Sequence, residues 1–228
     1  MSKKKRKRTK EPTSPLAGLL RRYPKWPRRI GVTAALVGVV AAIWIFADPL
    51  SGGPTAIDEN GVEVSAGIID GAPGTRARTN SAAPNFLLPG YDQQAVRLDD
   101  YQGKTVFINF WASWCGPCAE EMPDIVRIAE KFPDDVVVIA INRGESKGTA
   151  QHWTQALNLP EDLPNFKWVL DTRESVVREY RVEGMPQSFF IDGEGIMRSE
   201  VRQGLRYDDM LTSIQLALSF TTPSAVSP

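Results

Sequence analysis

The sequence predicts an α/β domain over residues 81–219, a mixed central sheet flanked by helices, and three observations predict it. "TVFINF" (105–110) and "DVVVIAI" (135–141) are nearly continuous apolar runs, the pattern of strands buried on both faces. Between them Met122, Ile125, Val126, Ala129 and Phe132 recur at helical spacing. Further on, "QSFFID" and "IMRSEV" flank "GEG" as the two arms of a hairpin would.

The elements follow in chain order. "NFLL" and "AVRL" flank "PGYDQQ" and read as a short N-terminal antiparallel hairpin. "TVFINF" is the next strand, the 122–132 stripe a helix, and "DVVVIAI" a strand. "SKGTAQHWTQAL" (146–157) reads as a second helix, "FKWVL" (166–170) as a strand and "TRESVVREY" (172–180) as helical in composition. The hairpin follows, and Met210, Leu211, Ile214, Ala217 and Leu218 form the apolar stripe of a last helix. The order β-α-β-α-β-α-β-β-α closes into one layered domain. No internal repeat is visible, and the tail 220–228 is expected to be disordered.

Upstream, the charge is split. Residues 1–29 hold 12 of the 27 Lys and Arg and one acid, Glu11, whereas residues 48–228 carry a net charge of −11. Residues 30–47, "IGVTAALVGVVAAIWIFA", hold no charge at all. Eighteen residues approach the roughly 20 that span a bilayer as helix, and "RR" at 28–29 precedes them. The expectation is a basic cytoplasmic segment at 1–29, an uncleaved transmembrane anchor at 30–47 and an extracytoplasmic domain. A cleaved signal peptide is the competing reading; the long apolar run and the poor A-x-A match of "IFA" weigh against it. "KKKRKR" then serves topology and attraction to anionic lipid rather than nucleic acid. Residues 48–80, with six of the 18 glycines, read as a flexible linker, within which "VEVSAGII" leaves a short strand unsettled.

Cys115 and Cys118, in "INFWASWCGPCAEEMP", are the only cysteines. A bridge between them closes too short a loop to restrain the unfolded chain, so reactivity explains them better than stability. A strand precedes Cys115 and a helix follows it, which places Cys115 at a helix N-terminus, where its thiolate is stabilised. Cys118 lies one turn on, in reach of the first sulfur, so Cys115 can attack a disulfide and Cys118 can resolve the mixed disulfide. Pro117 fits the first helical turn. Zinc would need further ligands, and His152 is the only histidine.

"FWASWCGPC" resembles the active-site segment of the thioredoxin superfamily. With the anchor, the linker and the extra segment near 144–165, the chain resembles its membrane-anchored TlpA/ResA-like thiol–disulfide oxidoreductases, which are associated with cytochrome c maturation. The resemblance implies a thioredoxin-like fold with a central insertion, Cys115 as nucleophile and Cys118 as resolving cysteine. It implies a cis bond before Pro186 in "GMPQSFF", with the Met185 backbone pairing an extended substrate, and a helix kinked at Pro123. Trp114, Gly116, Pro117, Met185 and Pro186 are the expected substrate-facing residues, and Trp111 a packing residue. Asn109 departs from the buried Asp of cytoplasmic thioredoxins, which leaves Glu121, one turn after Cys118, as the candidate proton acceptor. The alternative for Glu121 is a solvated surface residue like Glu120. Gln187 departs from the usual Thr or Ser after the cis proline, which bears on substrate preference.

The expected function is reduction of protein disulfides, with apocytochrome c as one target and a membrane-embedded thiol transporter as electron donor. The expected protein is a monomer with no cofactor, no metal and no nucleic-acid partner, held to lipid by its anchor. A disulfide oxidase or isomerase is the rival within the same chemistry, and a non-catalytic haem or metal chaperone is the rival from another class. "APNFLL" also resembles peroxiredoxin-type chains, but Ala112 stands where their Thr-x-x-Cys pattern needs Thr.

Overall fold

In the computed structural model, residues 55–58, 61, 63–70 and 77–221 are described. Among these the chain runs β1 (Thr55–Ile57), β2 (Glu63–Ser65), β3 (Gly67–Asp70), β4 (Asn85–Pro89), β5 (Ala95–Arg97), a 3-10 turn (Leu98–Tyr101), β6 (Thr105–Trp111) and α1 (Gly116–Lys131). It continues through β7 (Val136–Arg143), α2 (Lys147–Ala156), β8 (Phe166–Asp171), α3 (Ser175–Glu179), β9 (Gln187–Ile191), β10 (Met197–Val201) and α4 (Tyr207–Leu218). The segments expected at 1–29 and 30–47 lie outside the described residues, among which no helix is long and apolar enough to cross a membrane.

Five strands form the mixed sheet in the order β10-β9-β6-β7-β8. β6, β7 and β8 are parallel, β9 is antiparallel to β6, and β10 is antiparallel to β9. β6 and β7 are buried along nearly their whole length, and apolar over Val106–Ile108 and Val136–Ile141, because they occupy the middle of this sheet and are covered on both faces. Side chains alternate across a strand, so Phe107 and Trp111 enter the core beneath α1 and α4, while Val106, Ile108 and Phe110 enter the core shared with α3 and β4. Asn109 belongs to the first of these faces, which turns it toward α1.

Three differences from the expected elements have local causes. Part of the 48–80 segment, expected as a linker, is strand: β3 pairs antiparallel with β4, which also pairs with β5. β4 is buried along its whole length and has a strand on each edge. The third helix is shorter than the 172–180 expected from composition. Glu174 takes a left-handed conformation (φ 53°), and the Asp171 carboxylate accepts the N–H groups of Ser175, Val176 and Val177, so the helix starts at Ser175. Described structure also runs past residue 219: Phe220 lies under Arg198, and the Thr221 hydroxyl accepts the Gly193 N–H at 2.9 Å. The rest of the expected tail, 222–228, lies outside the described residues.

Candidate active site

β6 delivers the chain to the site and α1 carries it away. Between them Cys115 is the N-cap of α1, in extended conformation, and its Sγ accepts the Cys118 N–H at 3.2 Å. Pro117 stands in the first turn, where its missing N–H leaves no gap in the helix ladder. The helix continues through Pro123, in keeping with the apolar spacing on either side of it. Cys115 and Cys118 are joined in a disulfide, with Cys115 4% exposed and Cys118 fully buried. In the dithiol form the first-turn N–H groups and the helix dipole would act on Cys115 and lower its pKa. An attacking thiolate and a sealed resolving thiol are the two parts that disulfide exchange requires.

Trp114, 68% exposed, and the exposed Gly116 and Pro117 form a rim around Cys115. The Met185–Pro186 bond is cis, as the resemblance implied. Met185 packs against the cluster that contains both cysteines. Trp111 is buried as a packing residue, stacked on Trp153 of α2 and edge-on to Trp168 of β8.

Glu121 is 3% exposed and so is no surface companion of the exposed Glu120. Its Oε1 accepts from Asn109 Nδ2 at 2.7 Å and its Oε2 from the Leu205 N–H at 2.8 Å. Asn109 Nδ2 also donates to Ser188 Oγ at 3.1 Å. Burial pushes the Glu121 carboxyl up to about 7, and the Leu205 and Asn109 hydrogen bonds pull in the opposite direction. A carboxyl poised there exchanges protons readily near neutral pH. A Cβ built on Gly204 would stand 3.9 Å from Glu121 Oε2 and 3.8 Å from Pro186 Cγ, so the carboxyl and the cis proline converge on one place.

Two supports escaped the sequence reading. Glu145, just beyond β7, accepts the Ser113 N–H at 2.8 Å, the Ser113 hydroxyl at 2.5 Å and Asn142 Nδ2 at 2.7 Å. It therefore pins the loop that ends in Cys115. Leu205 holds Glu121 through its backbone, which no side-chain pattern announces. Among the described residues no group of three or more His, Cys, Asp and Glu side chains is placed to hold a metal ion. A cavity of about 480 Å³ between the β4–β5 turn and residues 161–168 includes neither cysteine.

The AhpC/TSA family model matches residues 79–200. Thiol-disulfide oxidoreductase ResA of Bacillus subtilis (strain 168) is 37% identical over 116 residues, which is 50% of this chain and 62% of that relative, less than two thirds of its length. Thiol-disulfide oxidoreductase ResA of Geobacillus thermodenitrificans (strain NG80-2) is 32% identical over 139 residues, 60% of this chain and 76% of that relative. A solved chain from Chlorobium tepidum, assigned as a thiol:disulfide interchange protein DsbE, is similar with TM-score 0.56 and 30% identity, over 62% of this chain and 98% of its own.

Proposed function

The chain belongs to the AhpC/TSA family and has the thioredoxin-like fold, and on that premise we propose that it is an extracytoplasmic, membrane-anchored thiol–disulfide oxidoreductase that reduces protein disulfides. Relatives named as thiol-disulfide oxidoreductases support the oxidoreductase class. The observation that carries the reading is the Cys115–Cys118 disulfide at the N-terminus of α1 with the buried carboxyl of Glu121 one turn on.

The cycle balances two electrons and two protons. The Cys115 thiolate attacks one sulfur of a substrate disulfide, forming a mixed disulfide and expelling a substrate thiolate, which takes up a proton. Glu121 accepts the Cys118 proton. The Cys118 thiolate then attacks Cys115 Sγ and expels the second substrate thiolate, which is protonated in turn. The product is the Cys115–Cys118 disulfide, the form seen here. A membrane thiol-transfer protein would restore the dithiol, and apocytochrome c is one substrate of the proposed class. The charge split between residues 1–29 and 48–228 supports an inside N-terminus and an outside domain.

Partner trapping tests the chemistry. Cys118→Ser should accumulate mixed disulfides through Cys115 in cells. Failure to trap any protein, together with failure of the reduced wild type to reduce a protein disulfide, would refute the assignment. Protease added outside spheroplasts should digest the redox domain and spare residues 1–29; protection of the whole chain would refute the topology.

A further inference from the structure

Gln187 follows Pro186 directly, and the proposed exchange makes no use of it. It is 1% exposed, yet both ends of its side-chain amide are occupied. Its Oε1 accepts the Glu183 N–H at 3.2 Å, and its Nε2 donates to Glu200 Oε1 on β10 at 2.8 Å. The same Glu200 oxygen accepts Arg202 Nε at 2.7 Å, and Arg202 Nη1 reaches Glu183 Oε2 at 3.1 Å. The four residues close a ring: Gln187 to Glu200, Glu200 to Arg202, Arg202 to Glu183, and the Glu183 backbone back to Gln187. The inner half is covered, while the side chains of Arg202 and Glu183 are 54% and 74% exposed.

We propose that Gln187 is a positioning residue that sets protein-substrate affinity: through this ring it fixes residues Glu183–Pro186 as a preformed edge for an extended substrate segment. The inference rests on the reductase reading above. Residues 183–186 form no helix or strand of their own. A segment without regular structure must be ordered when a partner binds, unless something has ordered it already. Gln187 does this from within, and it engages the Glu183 N–H, so that amide is not offered to the substrate. None of the ring's hydrogen bonds reaches Cys115, Cys118 or Glu121. Its loss should therefore weaken binding of an extended partner and leave the sulfur chemistry intact, the signature of a KM effect at constant kcat. A Thr or Ser at this position is too short to span from the Glu183 N–H to Glu200.

The test compares pre-reduced wild type, Gln187→Ala and Arg202→Ala in single turnovers with excess insulin or excess 5,5′-dithiobis(2-nitrobenzoic acid), a small disulfide, KM and kcat being the half-saturating concentration and the limiting rate. Gln187→Ala should raise the insulin KM about fivefold, the fold-change of one net hydrogen bond, with kcat and the small-disulfide rate within about twofold of wild type. Arg202→Ala, an exposed change that leaves the core alone, should raise the insulin KM about twofold at low salt and not at 1 M salt. Amide exchange of Glu183, read by NMR without any substrate, should be at least about tenfold faster in Gln187→Ala once its acceptor is gone. Equal losses on both disulfides, or an unchanged insulin KM beside faster Glu183 exchange, would overturn the inference. A wild type that reduces neither disulfide would instead strike the reductase reading, while Glu183 exchange would still report on the ring.

Discussion

Replacing Glu121 by Gln should make the dithiol more acidic and the protein more oxidising. Residues three apart on a helix carry their Cβ atoms about 5–6 Å apart, which describes Cys118 and Glu121. Two unit charges at that separation, in an effective dielectric near 20, repel by about 3 kcal/mol. Near pH 7, where a carboxyl pushed up to about 7 is half ionised, about half of that repulsion acts on a neighbouring thiolate. Glu121→Gln should thus lower the thiol pKa values and raise the reduction potential, by about 30 mV for each tenfold change in the exchange equilibrium constant. The same substitution alters stability in a defined pH window. The folded protein holds a proton on Glu121 that the unfolded chain has released between pH 4.5 and about 7. This contribution is full below pH 4.5 and is lost as pH rises through about 7, an upper bound of about 3 kcal/mol. Gln carries no such titration, but it cannot accept from both Leu205 and Asn109, at a cost of about 1 kcal/mol. Denaturant melts at pH 8 should show Glu121→Gln more stable than wild type by about 2 kcal/mol, an advantage absent at pH 4. Thiol titrations by alkylation rate, a potential set against glutathione buffers, and melts at both pH values measure all three effects. Titrations and potential that match wild type would refute the coupling.

Glu145→Ala should lower the denaturant stability of the oxidised protein by about 2 kcal/mol through loss of charge-assisted bonds to Ser113 and Asn142, against under about 0.5 for Glu120→Ala at an exposed position of α1. Equal effects of the two would contradict the loop-pinning role. Asp171→Asn should cost about 2–4 kcal/mol in urea melts, because both of its oxygens accept backbone N–H groups, Ser175 on one and Val176 and Val177 on the other, and an amide nitrogen placed on either side accepts none. A cost below about 0.5 kcal/mol would mean that α3 does not depend on that carboxylate.

The parts of the fold that periodicity controls were legible in advance. β6 and β7 are buried on both faces, so their apolar runs carry no interruption except Asn109, and Asn109 marks the site. Cys115 and Cys118 were legible because reactive spacing is a local property. What was hidden depends on residues distant in sequence. β3 needs β4 to complete it, and its own four residues are too few to signal a strand. The start of α3 is decided by a carboxylate on β8, not by the helical composition of 172–180. Spacing placed Glu121 near Cys118, but its burial depends on the chain at Leu205, 84 residues away, closing over it. Glu145 reaches Ser113 across 32 residues, and the polar run that contains it reads as an ordinary loop.

The packing of Trp111 gives the protein a built-in optical gauge. Trp111 ends the strand that leads to Cys115, its ring centroid is 4.5 Å from that of Trp153, and Trp168 meets it edge-on at 5.6 Å. Indoles this close share excitation and give paired bands of opposite sign in far-ultraviolet circular dichroism. Disulfides quench excited indoles at short range, so emission should brighten when the bond beside Trp114 opens. Mixing experiments could then follow each half of the exchange in real time, with no dye attached and no residue replaced.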